Sequence, residues 1–561
     1  MADNPIPDPE NWLDDYETRP VRPRTPLPRP TEATASMRNR PKVSGQPVPT
    51  PGSGDQDPAS DQMTTGLNRR TTQPIRTTQP SAVVSEAPEI AAEPVATTNK
   101  PLYIIPPKSG TLTSLIQMFT RRLGGPMGAH VGKISRGWAY ICATLAWMLC
   151  MARQIPCVRG TSHTMGWMCY SDLTALYGSR GQATGGIPYV NVDWEYPVLT
   201  GYFVTIANWI SKLFGAVLSP EANDIPNQLS TNTHIYFAVN AIMLFACLLW
   251  LIRSVLKLVP NVPQLAMLVA VLPAVWTTGL INWDLLAVAL TAAGLVAWKD
   301  QNWILSGVWW GLAIAAKFYP LVIIGALFIL CVRPDAFRPL VRLLRSWPQR
   351  VWPLIGWLIM MGSAVVTWLL VDLPVMITHY SGWAYFFIFN AKRSADLGSF
   401  WYALSLAGVS PQDPRTWAIW SRAVMILGYA ALAALIYIAR RPPTVIQIAY
   451  LAVAVLLVGN LVYSPQYVLW ILPLVVLARP KALDLSIFAT SEVFYYIFIW
   501  LYLGGYLWWG GTGIPVVYIF AIFVRIAGTI FVMTRVVREV LGLEPKDREF
   551  IALTMGNGEM R

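Results

Sequence analysis

The sequence predicts an all-α polytopic membrane protein, and three observations carry the prediction. The chain is 54% hydrophobic and only 13% charged, with a mean hydropathy of +0.42, whereas soluble globular domains carry about 25% charged residues. Apolar runs recur from Gly137 to the C-terminal region, many of them near the roughly 20 residues that a helix needs to cross a 30 Å hydrocarbon core. Lys and Arg gather at the ends of these runs rather than within them, the pattern of cytoplasmic loops. The net charge of +12 is explained by that distribution, so the expected partner is a lipid bilayer and no nucleic acid. With six Cys, no CxxC and four His, no metal site and no cofactor are expected.

Residues 1–110 hold few large apolar side chains, and 20 of the 44 prolines fall in the first 107 positions. Such a segment cannot bury enough surface to offset its chain entropy, so it is expected to be a disordered cytoplasmic tail. Its start, "MADNPIPDPENWLDDYETRP", lacks a basic n-region and an apolar h-region, so retention of the tail is expected. The tail reads as solvated, with recruitment of a cytoplasmic partner as the alternative. Residues 111–135 form a juxtamembrane segment containing Arg121, Arg122 and Lys133. The transmembrane domain is expected over 136–540, and 541–561 form a cytoplasmic C-terminal tail.

Within the domain, "GWAYICATLAWMLCMARQI" from Gly137 is the first span. The basic residues before it put the tail inside and the following loop outside. Further spans are expected to start near Ile235, Val262, Trp283, Asn302, Phe318, Val351, Trp417, Val445, Gln466, Leu483 and Ile514, giving about twelve. The basic segment 333–350, Arg440 and Arg441 then face the cytoplasm, as do both termini. This count requires "YPVLTGYFVTIANWISKLFG" (196–215) to lie on the outer surface as an amphipathic helix. The alternative has it crossing, with 302–331 as one long helix. Large outer loops are expected after the first span and from about 372 to 416.

In this topology the polar outliers converge on the outer side. Asp172 is a candidate base or a helix cap. Asp193 and Glu195 either bind substrate hydroxyls or are merely exposed. Lys317 would cost about 2.5 kcal/mol or more at the membrane centre, so it either neutralises an anion or snorkels to the surface. Arg393 offers a planar fork to phosphate oxygens, with Lys392 as competitor and a solvated basic loop as the bland reading. His379 is a hydrogen-bond donor or a structural helix-end histidine. Tyr463 and Gln466 could reach sugar hydroxyls, whereas Asn282 and Asp284 read as helix caps or ties. Cys157 and Cys169 both fall in the first outer loop, where disulfides persist. Their pairing would stabilise a short loop ahead of Asp172 by about 3 kcal/mol in the chain-entropy model.

The order of motifs resembles a known family. "YSDLTALYG" is followed by "YPVL", "NWDLL", "GVWWGLAIAAKFYP" and "YSPQYVLW". Together they are similar to the GT-C glycosyltransferases, and within them to the actinobacterial polyprenol-phosphate-mannose-dependent mannosyltransferases of glycosyltransferase family 87. The likeness spans about 136–540. One departure is a single proline in "EYPVL", where many members have two. The resemblance implies a GT-C-like bundle and inverting transfer of a sugar at the outer face of the plasma membrane. The donor would be a polyprenyl-phosphate sugar and the acceptor a glycan or glycolipid. It implies Asp172 as catalytic base and Lys317 near the donor phosphate. Arg393 and His379 then become further phosphate contacts, and Asp193, Glu195, Tyr463 and Gln466 sugar contacts. An arabinose donor needs the same parts. A transporter or flippase would instead call for broken helices, midplane polar residues and an internal repeat, none of which the sequence offers. A non-catalytic lipid-binding scaffold is the third class.

Overall fold

The computed structural model describes residues 135–158, 163–218, 225–333, 352–409, 411–413, 415–439, 442–507 and 515–543. By internal contacts the chain divides into residues 1–24 with 110–561 and residues 25–109, and every described residue belongs to the first unit. The expected tail, most of the juxtamembrane segment, nearly all of the basic segment 333–350, Arg440, Arg441 and most of the C-terminal tail lie outside the described residues.

The described residues are helical, with a lone bridge between Pro188 and Val192. In chain order the helices are α1 (Gly137–Val158), α2 (Asp172–Ser179), α3 (Val198–Leu213), α4 (Ile225–Leu258), α5 (Pro263–Val271) and α6 (Pro273–Thr278). Next come α7 (Asp284–Lys299), α8 (Trp303–Ala316), α9 (Pro320–Cys331), α10 (Trp352–Thr378), α11 (Tyr380–Lys392) and α12 (Phe400–Leu406). Then follow α13 (Arg415–Ile438), α14 (Val445–Gly459), α15 (Val468–Ala478), α16 (Ala482–Leu503) and α17 (Val516–Val540).

Among the described residues, six helices are long and apolar enough to cross a membrane: α1, α4, α10, α13, α16 and α17. Helices α8, α9 and α14 and the segment Pro465–Ala478 are apolar but shorter, at 10–17 residues. Burial follows this division. Every residue of α7 from Asp284 to Ala297 and every residue of α15 is buried, so these two form the inside of the bundle. Helix α1 buries a stripe of Ala139, Ala143, Ala146, Trp147 and Cys150 and exposes Ile141, Leu145, Met148 and Leu149. An apolar outer face of this kind suits lipid rather than water.

Helix α3 buries Thr200, Val204, Ala207, Asn208 and Ser211 and exposes Ile206, Trp209 and Leu213, so apolar side chains stand on its exposed side as well. Residues 302–331 do not form one helix. Helix α8 ends at Ala316 because the Pro320 ring would collide with the Ala316 carbonyl if the helix ran on, and Lys317 is extended (φ −155°, ψ 147°). The second expected loop also changes. Helix α10 continues through Thr378, and α11 and α12 occupy much of 380–406, so 372 is not the end of a helix.

Candidate active site

Asp172 is positioned by backbone stitching. The Cys157–Cys169 disulfide joins the end of α1 to the stretch leading into α2. Ser171 caps α2, its Oγ accepting from the Leu173 amide at 3.3 Å and donating to the Leu280 carbonyl at 2.5 Å. The Asp172 amide donates to the Ile281 carbonyl at 2.8 Å. Ser171 therefore takes the capping role that Asp172 could have had, and the Asp172 carboxylate turns to Asn282.

Asn282 Nδ2 donates to Asp172 Oδ2 and to the Tyr196 hydroxyl, both at 2.7 Å. Its Oδ1 accepts from the Trp283 amide at 2.6 Å, which fixes which end of the amide faces the carboxylate. Burial raises the Asp172 pKa to about 6. Hydrogen bonds from Asn282 and Tyr170 and the charge of Lys317 oppose that rise, and Asp284 adds to it.

The break between α8 and α9 delivers Lys317. The Ala316 carbonyl, released from the helix, accepts from Thr200 Oγ1 at 2.8 Å, which ties α3 to the turn. Lys317 Nζ lies 3.3 Å from Asp284 Oδ1 and 4.7 Å from the centre of the Tyr196 ring. Asp284 Oδ1 also accepts from Trp470 Nε1 at 2.7 Å. Asp284 thus links α7, the lysine turn and α15.

These groups share a cavity of about 1290 Å³, above the roughly 300–1,000 Å³ of ordinary small-ligand sites. Asp172, Glu195, Tyr196, Asn282, Lys317, Arg393, Asp396 and Gln466 stand on its wall, with Phe318, Phe386 and Phe387 among the apolar lining. Arg393 holds Asp396 Oδ2 through Nε at 3.1 Å and Nη2 at 2.8 Å. Glu195 receives a bidentate pair from Arg180, at 3.1 and 2.8 Å, so its wall position comes with an occupied carboxylate. Among the described residues, no three His, Cys, Asp or Glu side chains group in a way that could hold a metal ion.

Three expected site residues fall elsewhere. Asp193 is exposed and off the cavity wall. His379 sits between α10 and α11 with Nδ1 2.9 Å from Thr378 Oγ1, also off the wall. Tyr463 is fully buried, its hydroxyl 3.3 Å from Glu492 Oε1 and its ring centre 3.4 Å from the Arg525 guanidinium carbon. That ring belongs to a buried ion-pair cluster behind the cavity. Asn282, expected as a helix cap or tie, instead holds the Asp172 carboxylate, and Tyr196 is a site residue the sequence did not single out. For Asn282 the signal in the sequence was "NWDLL", which puts an amide and a carboxylate at one helix start, whereas Tyr196 stood only within "YPVL". Comparison with protein-family models and with curated proteins finds no match for this chain.

Proposed function

We propose that the chain is a membrane glycosyltransferase of the GT-C type, a hexosyltransferase that moves a sugar from a polyprenyl-phosphate donor to an envelope glycan or glycolipid at the outer face. Mannose is the first choice of sugar, on the family-87-like motifs. In this reading the shorter apolar helices join the six long ones in a bundle of about twelve spans, with both termini cytoplasmic. One observation carries the proposal: a partly desolvated carboxylate, Asp172, shares a cavity with two cations, Lys317 and Arg393.

The reaction follows from those groups. Asp172 takes the proton of an acceptor hydroxyl as that oxygen bonds to the anomeric carbon. The bond from that carbon to the phosphate oxygen breaks, and its electron pair leaves with polyprenyl phosphate. A single displacement inverts the centre and needs no second carboxylate as nucleophile. Lys317 has three N–H donors, one of which serves Asp284, and Arg393 has further donors beyond those on Asp396. Both cations can therefore bear on the departing phosphate, where charge develops in the transition state.

The test is a donor competition. Membranes carrying the protein are supplied with polyprenyl-phosphate mannose and polyprenyl-phosphate arabinose, and the transferred sugar is identified. Mannose in the product is expected. Arabinose alone would overturn the sugar and keep the reaction class. Transbilayer movement of either lipid with no product would replace the transferase reading with a transporter.

A further inference from the structure

The wall of the cavity can be followed contact by contact, and the sequence of contacts gives it two ends. At one end the Phe318 ring lies 5.1 Å from Phe386 and 5.7 Å from Phe387. Its chain neighbour Lys317 reaches over Tyr196 at 4.7 Å. Tyr196 and Asp172 share the Asn282 amide at 2.7 Å each. Beyond Asp172, Tyr170 packs on Trp500 with ring centres 5.6 Å apart. The wall therefore runs from a cationic, phenylalanine-lined end past Asp172 to a second end, where Tyr170 and Tyr506 meet the cavity and Trp500, only 2% exposed, backs Tyr170.

That second end is held rigidly by unrelated parts of the chain. The Cys157–Cys169 disulfide ties its approach to α1. Met168 is held at φ +54°, a left-handed conformation unusual for a residue with a side chain. Its carbonyl accepts from both Arg153 and the Tyr496 hydroxyl. Gly166 lets Tyr506 approach so closely that a Cβ there would lie 2.8 Å from the hydroxyl. Residues kept in such backbone conformations by their surroundings cluster at ligand sites.

From this geometry we infer that the end formed by Tyr170 and Tyr506 is the acceptor-sugar subsite, which takes a pyranose ring of the acceptor glycan with its C–H face against the tyrosine rings, while the buried Trp500 backs Tyr170. The assignment rests on the transferase reading and deepens it. In a single displacement the attacking hydroxyl arrives on the face of the anomeric carbon opposite the leaving phosphate. If the phosphate lies by Lys317, the acceptor lies across Asp172 from it, at the aromatic end. The flat rings contribute contact area at low entropy cost.

The test separates binding from turnover. Equilibrium binding of an alkyl mannobioside to the purified protein in nanodiscs, without donor, is measured for wild type, Tyr506→Ala, Tyr170→Leu, Tyr170→Phe and Lys317→Ala. At least a tenfold loss of affinity is expected in Tyr506→Ala and Tyr170→Leu, recovery to within a few-fold in Tyr170→Phe, and little change in Lys317→Ala. In turnover assays the acceptor KM rises in the same two variants while the donor KM holds. Unchanged acceptor affinity in both, or a rise in donor KM alone, would overturn the subsite and leave the transferase reading standing. Ring-dependent glycoside binding in a protein that transfers nothing would keep the sugar subsite and overturn the transferase.

Discussion

In the proposed transfer reaction, Asn282 sets how strong a base Asp172 can be. Burial favours the neutral acid and lifts its pKa to about 6, while the amide hydrogen bond favours the carboxylate. A base must be deprotonated to act, so kcat/KM should fall as pH drops through about 6. Asn282→Leu removes a contribution that lowers the pKa, so the acid limb should move to higher pH. A limb that stays put, or moves down, would remove Asn282 from this role. Lys317 was legible in the sequence because it stands out against apolar surroundings, whereas Arg393 sits in a polar stretch beside Lys392 and Asp396 and only the fold brings it to the cavity. Tyr463 and Gln466 were not separable in the sequence. They sit three residues apart around a tight turn, and only the fold shows one ring facing Arg525 and the other side chain reaching the cavity. Asn282 read as a helix cap because nothing in the sequence tells that an amide 110 positions away meets Asp172.

At the scale of elements, the position of Lys317 depends on how closely α8 packs against α10. Gly307 and Gly311 face α10 with no room for a side chain: a Cβ would lie 2.3 Å from the Met360 carbonyl oxygen and 2.5 Å from that of Ala364. Small residues four apart let two membrane helices approach backbone to backbone. Gly311→Ala should therefore destabilise the protein by about 1–3 kcal/mol through overpacking. Gly325→Ala, on α9 where a Cβ meets nothing within 4 Å, should leave stability unchanged or raise it by up to about 1 kcal/mol. Thermal unfolding in detergent compares the two, and equal effects would contradict the packing account. The spacing of Gly307 and Gly311 and the Lys317 break were visible in the sequence as "GVWWGLAIAAKFYP". The end of α10 was not. Asp372 looked like the edge of an apolar run, but its Oδ1 accepts from Trp383 Nε1 at 3.0 Å, and the helix carries on past it.

At the scale of the molecule, the all-helical class was plain from composition, because so little charge leaves few other ways to satisfy a backbone in lipid. The number of spans was less plain. Hydropathy counts apolar runs, and a short helix in the middle of a bundle is as apolar as a long one facing lipid: α15 is wholly buried and has 11 residues. The long, lipid-facing α10 and α13 expose apolar side chains such as Leu370 and Leu427, so the two kinds of helix differ in surroundings rather than in composition.

In the proposed reaction Asp172 removes the acceptor proton as the sugar is transferred. The direct measurement is transfer of labelled mannose from polyprenyl phosphate to endogenous acceptor by membranes carrying equal amounts of wild type or Asp172→Asn. Asn keeps the shape and can still hydrogen-bond to Asn282, but it cannot accept the proton. A loss of about 10²–10⁴ in rate is expected, with insertion and thermal stability unchanged. Transfer within a few-fold of wild type would contradict it.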